Sequence, residues 1–580
     1  MRFPSLATLA GHARDVLTRF PWTMAAGTLA AVAAIAATIG KGDEGWARVA
    51  MVAALGLPLT VALTLLAEER GWTPVRKAAL NAAGVALLIL FYLVWPGPDQ
   101  KHELIRYFQF SAGLHLLVAA LPFWGQRETS AFWQYNRRLF LGFLRANVFS
   151  AVLFIGLAIA LGAIDRLFGV DIQEEVYGRL WIAIAFVVNT AIFLAAVPSN
   201  LRGLAEDASY PRVLKVFAQY ILTPLVFIYL IILLAYLVKI VAGGEWPSGW
   251  IGWLVASVAV AGMLGFLLVH PLRDQTSESW IRTYARWLFI GLIPAALMFL
   301  VAFWKRILPY GLTEPRLLGV LLGMWLLVIA LNYTLRQGAG IRRIPVSLAI
   351  LFLVTLYGPI SVTTLSVRSQ GRRLARLVSA PAEVKHADRE ASAALRFLLE
   401  HGARRQIAAA VPATLPALPW DSLVKSGGRQ DSAASRILAS AGLRYQPRYS
   451  PWSEGYLYLR ARQERATRIG GYDWMLNVNS RDTTPIPIGS DSVRVRFDTT
   501  AGFARVRMGS DTLHFDLHRL VNQLARDSIL VRYDLPADRL RLTSNTGARR
   551  AILALESLDG SRKENSVRLT SWSGVLFLGK

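Results

Sequence analysis

Eleven long apolar stretches occupy residues 21 to 366, and only the chain beyond them is suited to water. About 20 apolar residues cross hydrocarbon as a helix, because lipid offers no partner for an unpaired backbone group. The stretches predict spans at 21–40, 46–67, 78–95, 107–124, 139–164, 180–198, 217–241, 250–270, 286–304, 317–335 and 344–366. The fold class expected is mostly α: a polytopic transmembrane bundle of about 11 spans, then a small soluble α+β domain with an antiparallel sheet. Four segments follow from this reading: 1–20 as an interfacial amphipathic helix, 21–366 as the membrane domain, 367–440 as a juxtamembrane helical linker region, and 441–580 as the soluble domain.

Charge separates the two parts. Charged residues make up 17% of the chain, against about 25% in soluble domains. More than half of the 63 Lys and Arg nevertheless lie beyond Ser366. The net charge of +25 is assigned to topology and anionic headgroups, not to nucleic acid. The partner it implies is the lipid bilayer, with cell-envelope components or other membrane proteins as further candidates. Cysteine is absent, which excludes disulfides, thiolate zinc sites and thiol nucleophiles.

Orientation follows from the short connections. The amino-terminal arm holds Arg2, Arg14 and Arg19, and the even-numbered connections hold sets such as Arg70, Arg76, Lys77 and Arg336, Arg342, Arg343. The odd-numbered ones are poorer and carry acids such as Asp171, Glu174, Glu175 and Glu245. The positive-inside rule then puts the amino terminus in the cytoplasm, and an odd span count puts the carboxyl-terminal domain outside. One outer connection, with Lys305, Arg306 and Arg316, is as basic as the inner ones. Trp22, Trp46, Trp95, Trp124, Trp181, Trp250, Trp287 and Trp304 are expected at headgroup depth as anchors.

Polar residues inside the bilayer are the pointers to function. No Asp or Glu lies well within a span, which counts against proton- or sodium-coupled carriers. The candidate intramembrane polar site comprises Arg145, Asn147, Asn189, His115 and Asn332. Against it stands snorkelling of Arg145 and ordinary helix–helix hydrogen bonding by His115. Gly319 and Gly323 form a GxxxG pair suited to close helix packing. Tyr357-Gly358-Pro359 should break the last span and free carbonyls.

Beyond Ser366 an amphipathic helix is expected over 383–401, an irregular strap over 410–420 and a short helix near 430–441. From about 455 the pattern turns to period two, as in Val493/Val495/Phe497 and Leu540/Leu542, the signature of half-buried strands. Residues 516–526 read as helix. No phosphate-binding glycine motif occurs in the right context, so no cofactor is implied. His514, Asp516 and His518 straddle a strand-to-helix junction and lack an obvious third metal ligand. The tail aromatics Trp452, Tyr456, Tyr458 and Trp474, mixed with arginines, are candidates for binding a sugar or wall polymer, with core or solvated positions as the alternative.

Three segments together resemble a known family. They are Phe132-Trp-Gln134-Tyr-Asn136-Arg137-Arg138, Tyr210-Pro211 leading to Phe217-Ala-Gln-Tyr220, and Gly358-Pro359 followed by Ser366-Val-Arg368-Ser369-Gln370. The chain resembles bacterial multi-pass membrane proteins grouped as domain of unknown function 4153, a family without an assigned activity. The resemblance covers most of the membrane half and the junction into the tail, and it implies no catalytic residues. Three functions therefore stand: a non-enzymatic scaffold or sensor displaying an extracytoplasmic domain, a small-molecule or lipid transporter or flippase, and a membrane-embedded transferase using Glu174 and Glu175.

Overall fold

The computed structural model describes residues 6–579 apart from short stretches, the longest being 244–250, 412–426, 447–456 and 462–469. Trp250, most of the 410–420 strap, Trp452 and Tyr456 lie outside the described residues. The chain divides into two compact units, Met1–Gln430 and Asp431–Lys580.

The first unit is helical. A short helix α1 (Leu6–Arg19) precedes ten helices long and apolar enough to cross a membrane among the described residues. These are α2 (Pro21–Ile39), α3 (Glu44–Glu69), α4 (Pro74–Val94), α5 (Lys101–Ala120), α6 (Thr129–Phe168), α7 (Glu174–Ala195), α8 (Arg212–Gly243), α9 (Ile251–Val269), α10 (Ser279–Tyr310) and α11 (Glu314–Leu335). Their apolar side chains supply a continuous core running from Phe20 and Leu65 through Leu230 and Phe266 to Leu292 and Tyr333. Pro21, Pro74 and Pro315 sit in the first turn of their helices, where a missing N–H costs nothing.

The eleventh apolar stretch differs from the other ten: among the described residues it forms no helix long enough to cross a membrane, against the 11 spans expected. Helix α12 (Arg343–Val354) has 12 residues, so it is only about 18 Å long. The helix stops ahead of Gly358, whose φ of 89° suits glycine and not a side-chain-bearing residue. After the turn the chain resumes as α13 (Val362–Ser379), capped by the Ser361 hydroxyl accepting from the Thr364 amide. The break frees the Phe352 carbonyl, and the Gln109 amide donates to it at 2.8 Å and to Thr355 Oγ1 at 2.8 Å. Two further helices follow, α14 (Ala387–Glu400) and α15 (Arg404–Ala410), which pack with α13 as a collar.

GxxxG packing is realised. A Cβ on Gly319 would lie 2.2 Å from the Phe303 ring, and one on Gly323 2.8 Å from Phe299. Those contacts allow α11 to approach α10 closely. One sequence expectation fails: Trp95 is wholly buried, stacked between Phe91 and Tyr107 at 5.5 and 5.6 Å. A neighbouring aromatic cluster claims it as core, whereas Trp46, Trp124, Trp181, Trp287 and Trp304 are exposed.

The second unit starts within helix α16 (Gly427–Ser440) and is mainly strand. Its larger sheet runs β2-β10-β9-β1-β7 with β8 on β9, and its smaller sheet runs β3-β4-β5-β6. Here β1 is Leu457–Ala461, β2 Trp474–Asn479, β3 Ile486–Ile488, β4 Asp491–Asp498, β5 Phe503–Met508, β6 Asp511–Asp516, β7 Val531–Leu535, β8 Arg541–Thr546, β9 Arg549–Lys563 and β10 Ser566–Gly579. All neighbours are antiparallel except β1 and β7, which pair parallel. Val493, Val495, Val506, Leu513, Phe515 and Trp572 fill the core beside Leu520 and Val521 of α17 (Leu517–Arg526).

Candidate functional site

Polar side chains gather at the two ends of the helix bundle. At the near end, where α1 meets α2, Arg19 and Lys77 each reach a Glu68 oxygen at 2.8 Å. Arg19 also donates to the Val197 and Pro198 carbonyls at 2.9 and 2.7 Å, and Arg342 to the Phe123 carbonyl at 2.8 Å. Residues from the amino-terminal arm and from the second, fourth, sixth and tenth connections therefore meet at one end.

The far end holds a buried clamp. Glu314 opens α11, and its Oε1 lies 2.7 Å from His401 Nε2, with both side chains 5% exposed. The other imidazole nitrogen, Nδ1, is 2.7 Å from the Phe397 carbonyl oxygen. A carbonyl only accepts, so Nδ1 carries a hydrogen. The Nε2–carboxylate contact needs one further hydrogen, held on the ring or on the acid. The His401 ring is sandwiched between His102 and Phe397, each centroid 4.0 Å away. His102 in turn faces Glu103 Oε1 at 3.3 Å, and Arg106 grips both Glu103 oxygens at 2.5 and 2.7 Å. Arg106 also lies over the Tyr357 ring in the break before α13. The first turn of α5, the start of α11 and the end of α14 are thus joined.

A second set of bonds anchors α13. Gln370 donates to the Tyr310 and Leu312 carbonyls at 3.0 and 2.8 Å, and the Ser369 hydroxyl accepts from the Leu312 amide at 3.0 Å. Arg373 pairs with Glu390 of α14 and bonds Gln370 Oε1 at 3.3 Å. Burial, together with nearby Arg316 and Arg376, pushes the Arg373 guanidinium down to about 10. It remains cationic at neutral pH and must be matched by anions.

The sequence-derived polar residues scatter. His115, which is exposed, and Asn189 line one open pocket of about 400 Å³ between helices, with Asn136, Thr23 and Thr190. Arg145 and Asn147 are exposed on α6, outside that lining, with the Asn147 amide turned back to the Phe143 carbonyl. Asn332 accepts from Arg343 at 3.0 Å at the end of α11. Glu174 and Glu175 fill the first turn of α7, where a helix amino end favours acids. In the second unit Trp474 is 46% exposed on β2 and Tyr458 lies in β1. Asp516 caps α17 by accepting from the Arg519 amide at 2.8 Å. No group of three metal-ligating side chains occurs among the described residues.

Motif residues of the sequence converge on packing. Trp133 donates to the Leu267 carbonyl at 2.6 Å, Tyr135 to Val118 at 2.7 Å, Asn136 to Ala119 at 3.1 Å and Tyr210 to Leu268 at 2.8 Å. They lace α5, α6 and α9 together, while Ser369 and Gln370 serve the clamp. Sequence reasoning passed over His102, Glu103, Glu314, Arg373 and His401. Their signal was weak: charged groups at the ends of apolar segments, with no local period linking them.

An uncharacterized protein of Pasteurella multocida (strain Pm70) is 25% identical over 192 residues, 33% of this chain and 32% of that protein. The match therefore spans about a third of the relative's length. No solved structure matches the chain. A family model described as "Domain of unknown function (DUF4153)" matches residues 24–393, well over half of the 580, and the chain belongs to that family.

Proposed function

We propose that this protein is a non-enzymatic scaffold or sensor of a bacterial inner membrane, displaying its carboxyl-terminal unit outside the cytoplasm. The observation that carries the reading is the clamp of Glu314, His401, His102 and Gln370. It ties the helices that lead out of the membrane to the bundle at three places, as a display platform requires. Orientation is supported by the basic connections meeting at the near end, opposite the clamp. Arg316 of the one basic outer connection donates to the Tyr310 and Gly311 carbonyls, which fix its side chain at that loop. Alkaline phosphatase fused after Lys580 should be active, and green fluorescent protein fused there should be dark. The opposite pattern removes the display reading.

The pocket lined by His115, Asn136 and Asn189 favours a second reading, transport of a small or lipid-like solute. Under it, Asn189→Leu abolishes flux of some solute at unchanged protein level. Wild-type behaviour of that variant across flux assays removes this reading.

A further inference from the structure

A third polar site lies beside the clamp. A pocket of about 390 Å³ is bounded by Arg316, Arg373, Arg389, Glu390, Tyr310 and Thr313. Three guanidiniums face one carboxylate, and Glu390 is already taken by Arg373. Arg389 is exposed and has no carboxylate partner among the described residues. Arg316 and Arg373 lie 5.6 and 6.0 Å from the Tyr310 ring centre, so the aromatic face holds both in place. Thr313 precedes α11, whose amino end has no side-chain cap. Uncapped amides and a helix dipole add to the pull on an anion. The source of that anion is indicated by the surroundings: Trp304, Leu308 and Tyr310 at the end of α10 are 59%, 63% and 48% exposed. Such a face beside a cationic pocket suits acyl chains next to a headgroup.

We infer that this pocket binds a phosphate oxyanion, carried by the headgroup of an anionic phospholipid. Guanidinium pairs match phosphate oxygens in forked geometry, and three guanidiniums against the one carboxylate leave the pocket with a net positive charge that favours an anion. A zwitterionic headgroup offsets less of that charge and binds more weakly.

The test is thermal unfolding of the full detergent-purified chain, titrated at constant ionic strength. The probes are dihexanoyl phosphatidylglycerol, dihexanoyl phosphatidylcholine and sodium phosphate. Ligand that binds only the folded protein raises the unfolding temperature. Phosphatidylglycerol should stabilise the wild type well beyond phosphatidylcholine. Arg389→Gln should weaken that response about tenfold, the scale of one lost charge-assisted bond, and Arg389→Lys should recover part of it. Arg389 is exposed and outside the clamp, so its variants should fold. Arg282→Gln, an exposed site on α10 away from the pocket, should respond as wild type. Equal stabilisation by sodium phosphate, lost in Arg389→Gln, upholds the oxyanion site with free phosphate as its source. The inference is overturned if no probe stabilises the wild type. It is equally overturned if Arg389→Gln responds like wild type or Arg282→Gln loses as much.

Discussion

Glu314 and His401 stand 87 residues apart in sequence, yet carboxylate and imidazole meet at 2.7 Å in a site nearly closed to solvent. Removing one member of such a pair leaves the other buried and uncompensated. His401→Ala also opens the slot between His102 and Phe397. We expect Glu314→Ala or His401→Ala to cost about 3–5 kcal/mol, read as denaturant-induced unfolding in detergent. The double variant should cost less than the sum of the two. Additive losses would show that the two residues act independently.

Close packing of α10 on α11 depends on two missing side chains. Gly319→Leu drives a branched group into the Phe303 ring and should destabilise by about 1–3 kcal/mol or more. Gly156 on α6 meets nothing within 4 Å, so Gly156→Ala should be silent in the same measurement. A silent Gly319→Leu would mean that the two helices do not meet there.

At the near end Glu68 serves two cations. Its side chain is 22% exposed, so solvent screens part of the pairing. Glu68→Ala should cost about 1–3 kcal/mol after that discount. Adding Arg19→Ala to it should cost less than Arg19→Ala alone, because the ion pair is already gone and only the Val197 and Pro198 carbonyl contacts remain to be lost. Resistance to denaturant in detergent reports both, and a full second loss would place the value of Arg19 in its carbonyl contacts alone.

Trp572 is the largest side chain in the core of the second unit, 2% exposed. Trp572→Ala should cost about 3–5 kcal/mol. Limited proteolysis of the full chain should then cut beyond Asp431 while the bundle fragment persists. A tail as resistant as wild type would deny Trp572 that role.

The bundle was legible because continuous apolar runs report burial in lipid without reference to any neighbour. Each long span has its helix, and the break signalled by Gly358-Pro359 falls where the eleventh run ends early. The period-two segment at Val493 and Val495 likewise became a strand, with both facing inward, whereas Leu540 ends a short 3-10 turn and only Leu542 lies in a strand. What stayed hidden depends on partners far along the chain. Trp95 resembles an anchor until Phe91 and Tyr107 are seen around it. The parallel pairing of β1 with β7 spans the smaller sheet and α17, so no hairpin signal announces it. His102, Glu314 and His401 are ordinary polar residues at helix ends until the fold stacks them. The intramembrane candidates were chosen by depth alone, and depth does not say which side of a helix faces inward. Arg145 and Asn147 are exposed away from any such lining, whereas His115 and Asn189 line one pocket.

The joint between α12 and α13 meets part of its own backbone need. Tyr357, Gly358, Pro359 and Ile360 are all exposed, while the Ser361 amide donates to the Gly358 carbonyl at 3.2 Å and the Val362 amide to the Thr355 carbonyl at 3.0 Å. Hydrocarbon cannot satisfy the peptide groups that the turn leaves over. Such a joint suits headgroup depth, where water reaches those groups and Arg106 lies over the Tyr357 ring.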